Sequence, residues 1–480
     1  MASPGLAIRS LAWSLLESAV GIGLSFVTVI LIARSIGPAE FGLFSLALVT
    51  IQIMTAGLSQ LFNEAIVQRE DLEPSHINTA FWASVAVSLL LTLGCLLAAW
   101  LLIEVYDQGR LGRVLAWLSA GVLLEGFTGV LTAGMKREFQ FRWIAVRTAI
   151  GRGTGSVVGI AMALAGWGIW ALVAQYLVGA LVSTVCTWVG ARFQPRLAWS
   201  TRHLRELMQV ALPSLTAAFL WILSMRVFTI MVGALMGPAA LGHFSMAFRL
   251  IDTLQTLTLG VVNKVALPLL ARRQTDRTRL MDGFATATER TALVLVPTFT
   301  GLALVAPELI PLMLGPGWEP AIPSLQVLAI GLLLASVVYF QPIVLTAIGR
   351  AKLNVIGPAA SIAITLALLA IVHPYGVVAA AFAWVARHVL TVPLNIWLIR
   401  RELDFSVRSQ LQGVIAPLAS AVAMTAAVLA ISPVLFDDAP ALLRLAGIVA
   451  TGVLVYGASM LALAPRIPRA VVRSLAGLRA

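Results

Sequence analysis

The sequence predicts an all-α polytopic membrane protein of about fourteen transmembrane helices, arranged as two parallel six-helix lobes followed by two further helices. Three observations carry this expectation. Of 480 residues, 60% are hydrophobic and 11% charged, and the mean hydropathy of +0.95 lies outside the range of soluble domains. The apolar residues gather into runs of the roughly 17–25 residues that a helix needs to cross the hydrocarbon core. The third observation is a repeat: GPAEFGLFSLA at 37–47 returns as GPAALGHFSMA at 237–247. Gly37, Pro38, Ala39, Gly42, Phe44, Ser45 and Ala47 are matched by Gly237, Pro238, Ala239, Gly242, Phe244, Ser245 and Ala247.

In order, the first run, 11–33, contains Glu17 and is too long for a signal-peptide core, so it reads as a retained helix. Runs 41–63, 80–103, 114–135, 143–166 and 170–191 complete a first set of six. The next six are 212–236, 239–265, 291–314, 323–347, 353–372 and 377–398, with 411–431 and 441–463 left over. Beyond the opening motif, Leu131, Thr132 and Ala133 at the end of run four are echoed by Leu345, Thr346 and Ala347 at the end of run ten. The expected organisation is therefore an N-terminal lobe at 1–200, a second lobe at 201–405, and two helices with a basic tail at 406–480. A shift of six spans preserves sidedness, so the lobes are expected to be parallel repeats with a shared site between them at mid-membrane. Tight outer turns are expected at Gly37 and Gly237, and a close helix contact at Gly151, Gly155 and Gly159.

The net charge of +12 is explained by topology. Loops after even-numbered runs collect Lys136, Arg137 and Arg142, or Arg196, Arg202 and Arg205, whereas the opposite loops hold only Arg34, Arg110, Arg113 and Arg444. By the positive-inside rule both termini are cytoplasmic, and nucleic acid is not an expected partner. Cys95 and Cys186 lie inside apolar runs without CxxC or Cys/His spacing, so neither a disulfide framework nor a metal site is expected. No nucleotide-binding, hydrolase or kinase signature occurs and the loops are short, so the chain is expected to be neither an enzyme nor the holder of a cofactor. Trp100, Trp167, Trp170, Trp188, Trp199, Trp318 and Trp397 fall near run ends and are expected at the membrane interface.

Polar residues fall on single faces of the helices. Ser14, Glu17, Ser18, Gly21, Ser25 and Thr28 share a face of run one, Ser45, Gln52, Thr55, Ser59 and Asn63 one of run two, and Ser245, Arg249, Asp252, Thr256 and Asn263 one of run eight. Unpaired polar groups cost several kcal/mol in hydrocarbon, so these faces are expected to enclose a polar cavity. The candidate cavity residues are Arg226, Arg249, Asp252, Arg152, Arg387, Glu17 and Gln52, with Asn63 and Asn263 as gating positions and Glu125 as a further buried acid. Four intramembrane arginines favour an anionic substrate, because guanidinium engages phosphate oxygens with two parallel hydrogen bonds.

The segments ARSIGPAEFGLFSLA, IVQREDLEPSHINTAFW at 66–82, KREFQFR at 136–142 and APELIPLMLGPGWEPAIPSLQVL at 306–328 resemble the polysaccharide transporter family, the Wzx-type oligosaccharide flippases. The wider group includes MATE drug exporters and MurJ-type lipid II flippases. The resemblance implies a MATE/MurJ-like fold in the bacterial inner membrane. It also implies translocation of a polyprenyl-diphosphate-linked oligosaccharide for surface polysaccharide, amid membrane lipids and beside the polymerase and glycosyltransferases of that pathway. An acid that members often carry in span seven aligns with Phe228, so coupling through that position is not implied. The alternative is a MATE-like, cation-coupled exporter of small organic molecules, which calls for an acidic cavity.

Overall fold

The structure is a computed structural model that describes residues 4–69, 71–105, 108–191, 195–271, 277–403, 407–436 and 439–465. Among the described residues regular structure is helical: α1 Pro4–Gln60, α2 Asn63–Gln68, α3 Pro74–Glu104, α4 Gly109–Arg137, α5 Phe141–Leu164, α6 Trp170–Gly190 and α7 Thr201–Ala271. The chain continues through α8 Arg277–Leu314, α9 Ala321–Val338, α10 Gln341–Ala347, α11 Ile356–Val372, α12 Val377–Leu403, α13 Val407–Leu435 and α14 Ala441–Leu463. Among the described residues, ten helices are long and apolar enough to cross a membrane. The ten do not map one-to-one onto the expected runs. Runs 41–63 and 239–265 are second limbs of α1 and α7, Arg147 and Arg152 lower the apolarity of α5, and 323–347 is split into α9 and α10.

Both copies of the repeated motif bend in one way. Gly37 (φ 78°, ψ 172°) and Gly237 (φ 85°, ψ 174°) are the residues that leave helical geometry, and the helix resumes at the following proline. That region of backbone space is essentially glycine-only, and proline's fixed φ and missing N–H suit the first position of the resumed helix. The turns expected from the sequence are thus each made by one residue.

The chain divides into two compact units, Met1–Gly242 and His243–Ala480. In the first, α5 and α6 meet backbone to backbone. A methyl on Gly151 would overlap the Ser183 hydroxyl, one on Gly155 the Gln175 carbonyl, and one on Gly159 would sit 2.8 Å from Gln175 Cβ. The helices α3 and α4 approach in the same way, where Gly126 leaves room for Ser88. The two copies of the motif also touch. A methyl on Gly42 would lie 2.6 Å from the Gly242 nitrogen and overlap the Pro238 carbonyl oxygen, and one on Gly242 would overlap the Pro38 carbonyl oxygen. The contact is therefore reciprocal.

In the second unit α8 is central. Ala292 and Val296 pack on Val414 and Ala421 of α13, and Val305 packs with Val428 and Ile448. The final pair, α13 and α14, is fixed to α8 by the Tyr456 hydroxyl, which donates to the Leu293 carbonyl at 3.1 Å. At one end, Phe284 of α8 meets Phe340, Val344 and Ile399. Trp318 is wholly buried, with its ring 6.0 Å from that of His243, which corrects its expected place in an interfacial belt. Trp100, Trp167, Trp188, Trp199 and Trp397 are exposed, as such a belt requires.

Candidate functional site

The expected cavity residues are placed in both units. In the first, Gln52 and Arg226 are half-buried, and Arg152 is exposed on α5 beside Gly153, where an added methyl would lie 3.9 Å from Leu24 Cδ2 of α1. Thr28 is fully buried, and its hydroxyl donates to the Leu24 carbonyl at 2.7 Å, while Thr55 donates to the Ile51 carbonyl at 3.0 Å. Such back-bonding lets a hydroxyl sit among apolar groups, so part of the polar stripe is satisfied within its own helix. Asn63 accepts a hydrogen bond from Lys136 Nζ at 3.2 Å, which ties this gating candidate to the end of α4. The side chains of Glu17 and Asn263 lie outside the described residues.

The second unit shows a built arrangement. Arg387 on α12 is 4% exposed, and its guanidinium carbon stands 5.4 Å from the centroid of the Trp384 ring, within cation–π range. His388 Nδ1 donates to the Trp384 carbonyl at 2.9 Å, which leaves Nε2 as the acceptor facing Arg387 Nη2 at 3.5 Å. The Trp384 ring packs edge-on against Phe248 at 6.1 Å, and Phe248 stacks on Phe244 at 6.1 Å. Phe248 precedes Arg249, which is half-buried, and Asp252 one turn on is exposed. The limb of α7 that bears Phe244 and Phe248 and the middle of α12 are thus joined by aromatic rings, with Arg387 at the α12 end. The indole face is one means by which a buried guanidinium charge is held.

Sequence reasoning missed three features of the first unit. Arg147, which falls inside run 143–166, donates to Thr132 at 3.0 Å and Thr187 at 2.8 Å, and so joins α4, α5 and α6; Glu125 lies in the field of Arg147 and Lys136. Glu40 in the repeated motif pairs with Arg110. At the starts of α3 and α7, Glu206 is held by Arg69 at 2.6 Å, Arg202 at 3.0 Å and His76 at 3.3 Å. The hydrogen bond to His76, with those from Arg69 and Arg202, pulls the Glu206 carboxyl down to about 2. The signal for this knot was present as Glu73 and His76, then His203 and Glu206, each pair at a helical spacing of three.

Residues 31–323 match the family model described as polysaccharide biosynthesis protein. The chain belongs to this family. Among its relatives, it is 28% identical over 326 residues to the succinoglycan biosynthesis transport protein ExoT of Rhizobium meliloti (strain 1021), covering 67% of this chain and 65% of ExoT, just under two thirds of that protein. It is 22% identical over 336 residues to the lipopolysaccharide biosynthesis protein WzxC of Escherichia coli (strain K12), covering 69% and 68%. Among solved structures, the fold of this family member is similar to the lipid II flippase MurJ in an inward closed conformation, with a TM-score of 0.75, 12% identity and 95% and 98% of the two chains covered. An inward-facing multidrug MATE transporter follows at a TM-score of 0.65 and 16% identity, covering 81% and 98%. At these identities the two structures speak for the fold alone.

Proposed function

We propose that this family member is a flippase that carries a polyprenyl-diphosphate-linked oligosaccharide across the bacterial inner membrane by alternating access, for surface polysaccharide assembly. The observation that supports the reading is the buried Arg387, held over Trp384 whose ring meets Phe248 of α7, in a chain of the polysaccharide biosynthesis family. The mechanism follows from its chemistry. Arg249 and Arg226 take the diphosphate, Arg152 and Gln52 contact the polar headgroup, and Arg387 holds the Trp384 ring that positions the Arg249 limb. Glu17 and Asp252 balance the cavity charge, and Asn63 and Asn263 close its inner end. The lobes at 1–200 and 201–405 rock around this site while the lipid tail stays in the bilayer, and 406–480 is an addition to the second lobe. Both termini are cytoplasmic, and the polymerase and glycosyltransferases of the same pathway are the natural partners.

The test is complementation of a strain deleted for the gene. Arg249→Ala, inserted at normal abundance, is expected to abolish surface polysaccharide, and Arg249→Lys to restore part of it. Full activity of the alanine variant would remove the arginine from the mechanism and favour a MATE-like exporter of small organic molecules.

A further inference from the structure

We propose that Glu73, His76 and His203 form a binding site for a divalent transition metal of the zinc class, backed by Glu206, which clips the start of α3 to the start of α7. One ligand atom from each of the three residues lies within 4.8 Å of the others. The residues come as two mirror pairs, Glu73 with His76 and His203 with Glu206, each three apart, so each helix start offers one carboxylate and one imidazole on a single face. The two imidazole rings lie 4.1 Å apart. Two imidazoles and a carboxylate, with a water as fourth ligand, are a donor set that zinc accepts at about 2.0–2.2 Å. Donors spread over 4.8 Å must draw in by about an ångström to meet that shell. The carboxylate best able to move is Glu73, whose side chain is 66% exposed.

Hydrogen bonding already prepares the ligands. The Glu73 backbone N–H donates to His76 Nδ1 at 3.2 Å, so the His76 proton is on Nε2, where it points to Glu206 at 3.3 Å. A carboxylate on the far nitrogen is the outer-shell partner that metal-bound histidines ordinarily have. Glu206 is itself fixed by Arg69 and Arg202, so it supports His76 without needing to reach the ion. On metal binding His76 Nδ1 exchanges the backbone N–H of Glu73 for the ion. His203 faces Glu73 through Nε2 at 3.8 Å, and its Nδ1 is buried with no hydrogen-bond partner. The ion would therefore meet His203 at Nε2, the nitrogen turned toward Glu73. An ion here joins segments far apart in sequence, and it is expected to slow any transport step that separates them.

The test uses the full chain, purified in detergent with its affinity tag removed and stripped with EDTA. Zinc titration by calorimetry is expected to show one site, and cobalt to give the absorption of a low-coordinate complex. His76→Ala and His203→Ala are each expected to lose the site, whereas His203→Cys, which keeps a ligand, retains it. Glu206→Gln, which removes only the outer partner, is expected to weaken binding about 10–100-fold. Equal zinc affinity in the unaltered chain and a monodisperse His76→Ala/His203→Ala double variant would overturn the proposal, as would loss in His203→Cys equal to that in His203→Ala. Binding is read without transport, so the outcome is separate from that of the flippase reading.

Discussion

Arg249 and Arg387 are chemically alike, yet their surroundings separate their duties. Arg387 is buried over Trp384 and bonded toward His388, whereas Arg249 is half-buried on α7, next in sequence to Phe248. Arg387→Ala leaves a void beside the indole and is expected to reduce the abundance and melting temperature of the purified protein. Arg249→Ala and Arg226→Ala are expected to leave both unchanged while weakening binding of a lipid diphosphate about tenfold to a hundredfold, since a hydrogen bond to a charged group contributes about 1.5–3 kcal/mol. Asp252→Asn decides whether Arg249 serves its helical neighbour: equal destabilisation by Asp252→Asn and Arg249→Ala would assign the arginine to that pair. At Glu206 the sign of pH dependence is fixed by a carboxyl held down to about 2 by His76, Arg69 and Arg202. Its depressed value means that the carboxylate's share of the knot is complete above the ordinary value of 4.5 and is lost as pH falls through about 2. Glu206→Gln imitates the acid form at neutral pH, and hydrogen exchange at the start of α3 is expected to quicken in that variant. The sequence revealed which residues were costly in a membrane. It did not reveal that an indole holds Arg387, because that contact depends on which helix faces which.

At the scale of elements, glycines set the geometry. Gly37 and Gly237 occupy backbone conformations reserved for glycine, so alanine at either is expected to cost about 1–3 kcal/mol, read as a fall in thermal stability in detergent. Gly42 differs, since its φ is ordinary and its constraint is the Pro238 carbonyl against it. Gly42→Ala is expected to part the two motif copies. In a background lacking Cys95 and Cys186, a cysteine at the fully buried Leu241 should then label faster with an impermeant thiol reagent than it does beside the native glycine. Unchanged labelling would mean the seam yields elsewhere. The repeat and the small-residue spacing in α5 were legible in the sequence because they are local patterns. The touching of the two copies was not, because no periodicity records a contact two hundred residues apart.

For the whole molecule, composition alone established the membrane class, and the family resemblance held over residues 31–323. The run count transferred less well, because single-residue bends merge helices and intramembrane arginines disguise others, as in α1, α7 and α5. Sidedness is open to direct measurement. Reporter fusions at Arg205 and Arg401 are expected to report cytoplasm, and one in the connection between α13 and α14 the opposite side; that connection found in the cytoplasm would rule out an even number of spans. Single cysteines at Ser25, Thr55 and Thr256 are expected to react with an aqueous thiol reagent in at least one conformation. Labelling confined to Leu24 and Leu257 would show that the helical faces were assigned wrongly.

The reciprocal contact of Gly42 with Pro238 and Gly242 with Pro38 also bears on how such a chain changes over generations. After a duplication the two halves drift independently wherever each meets only lipid or its own neighbours. At this seam they meet each other, so a larger residue in either copy is felt by both. Descendants are therefore expected to keep the pair of glycines or to replace both, and a chain with only one would need a shifted proline opposite it.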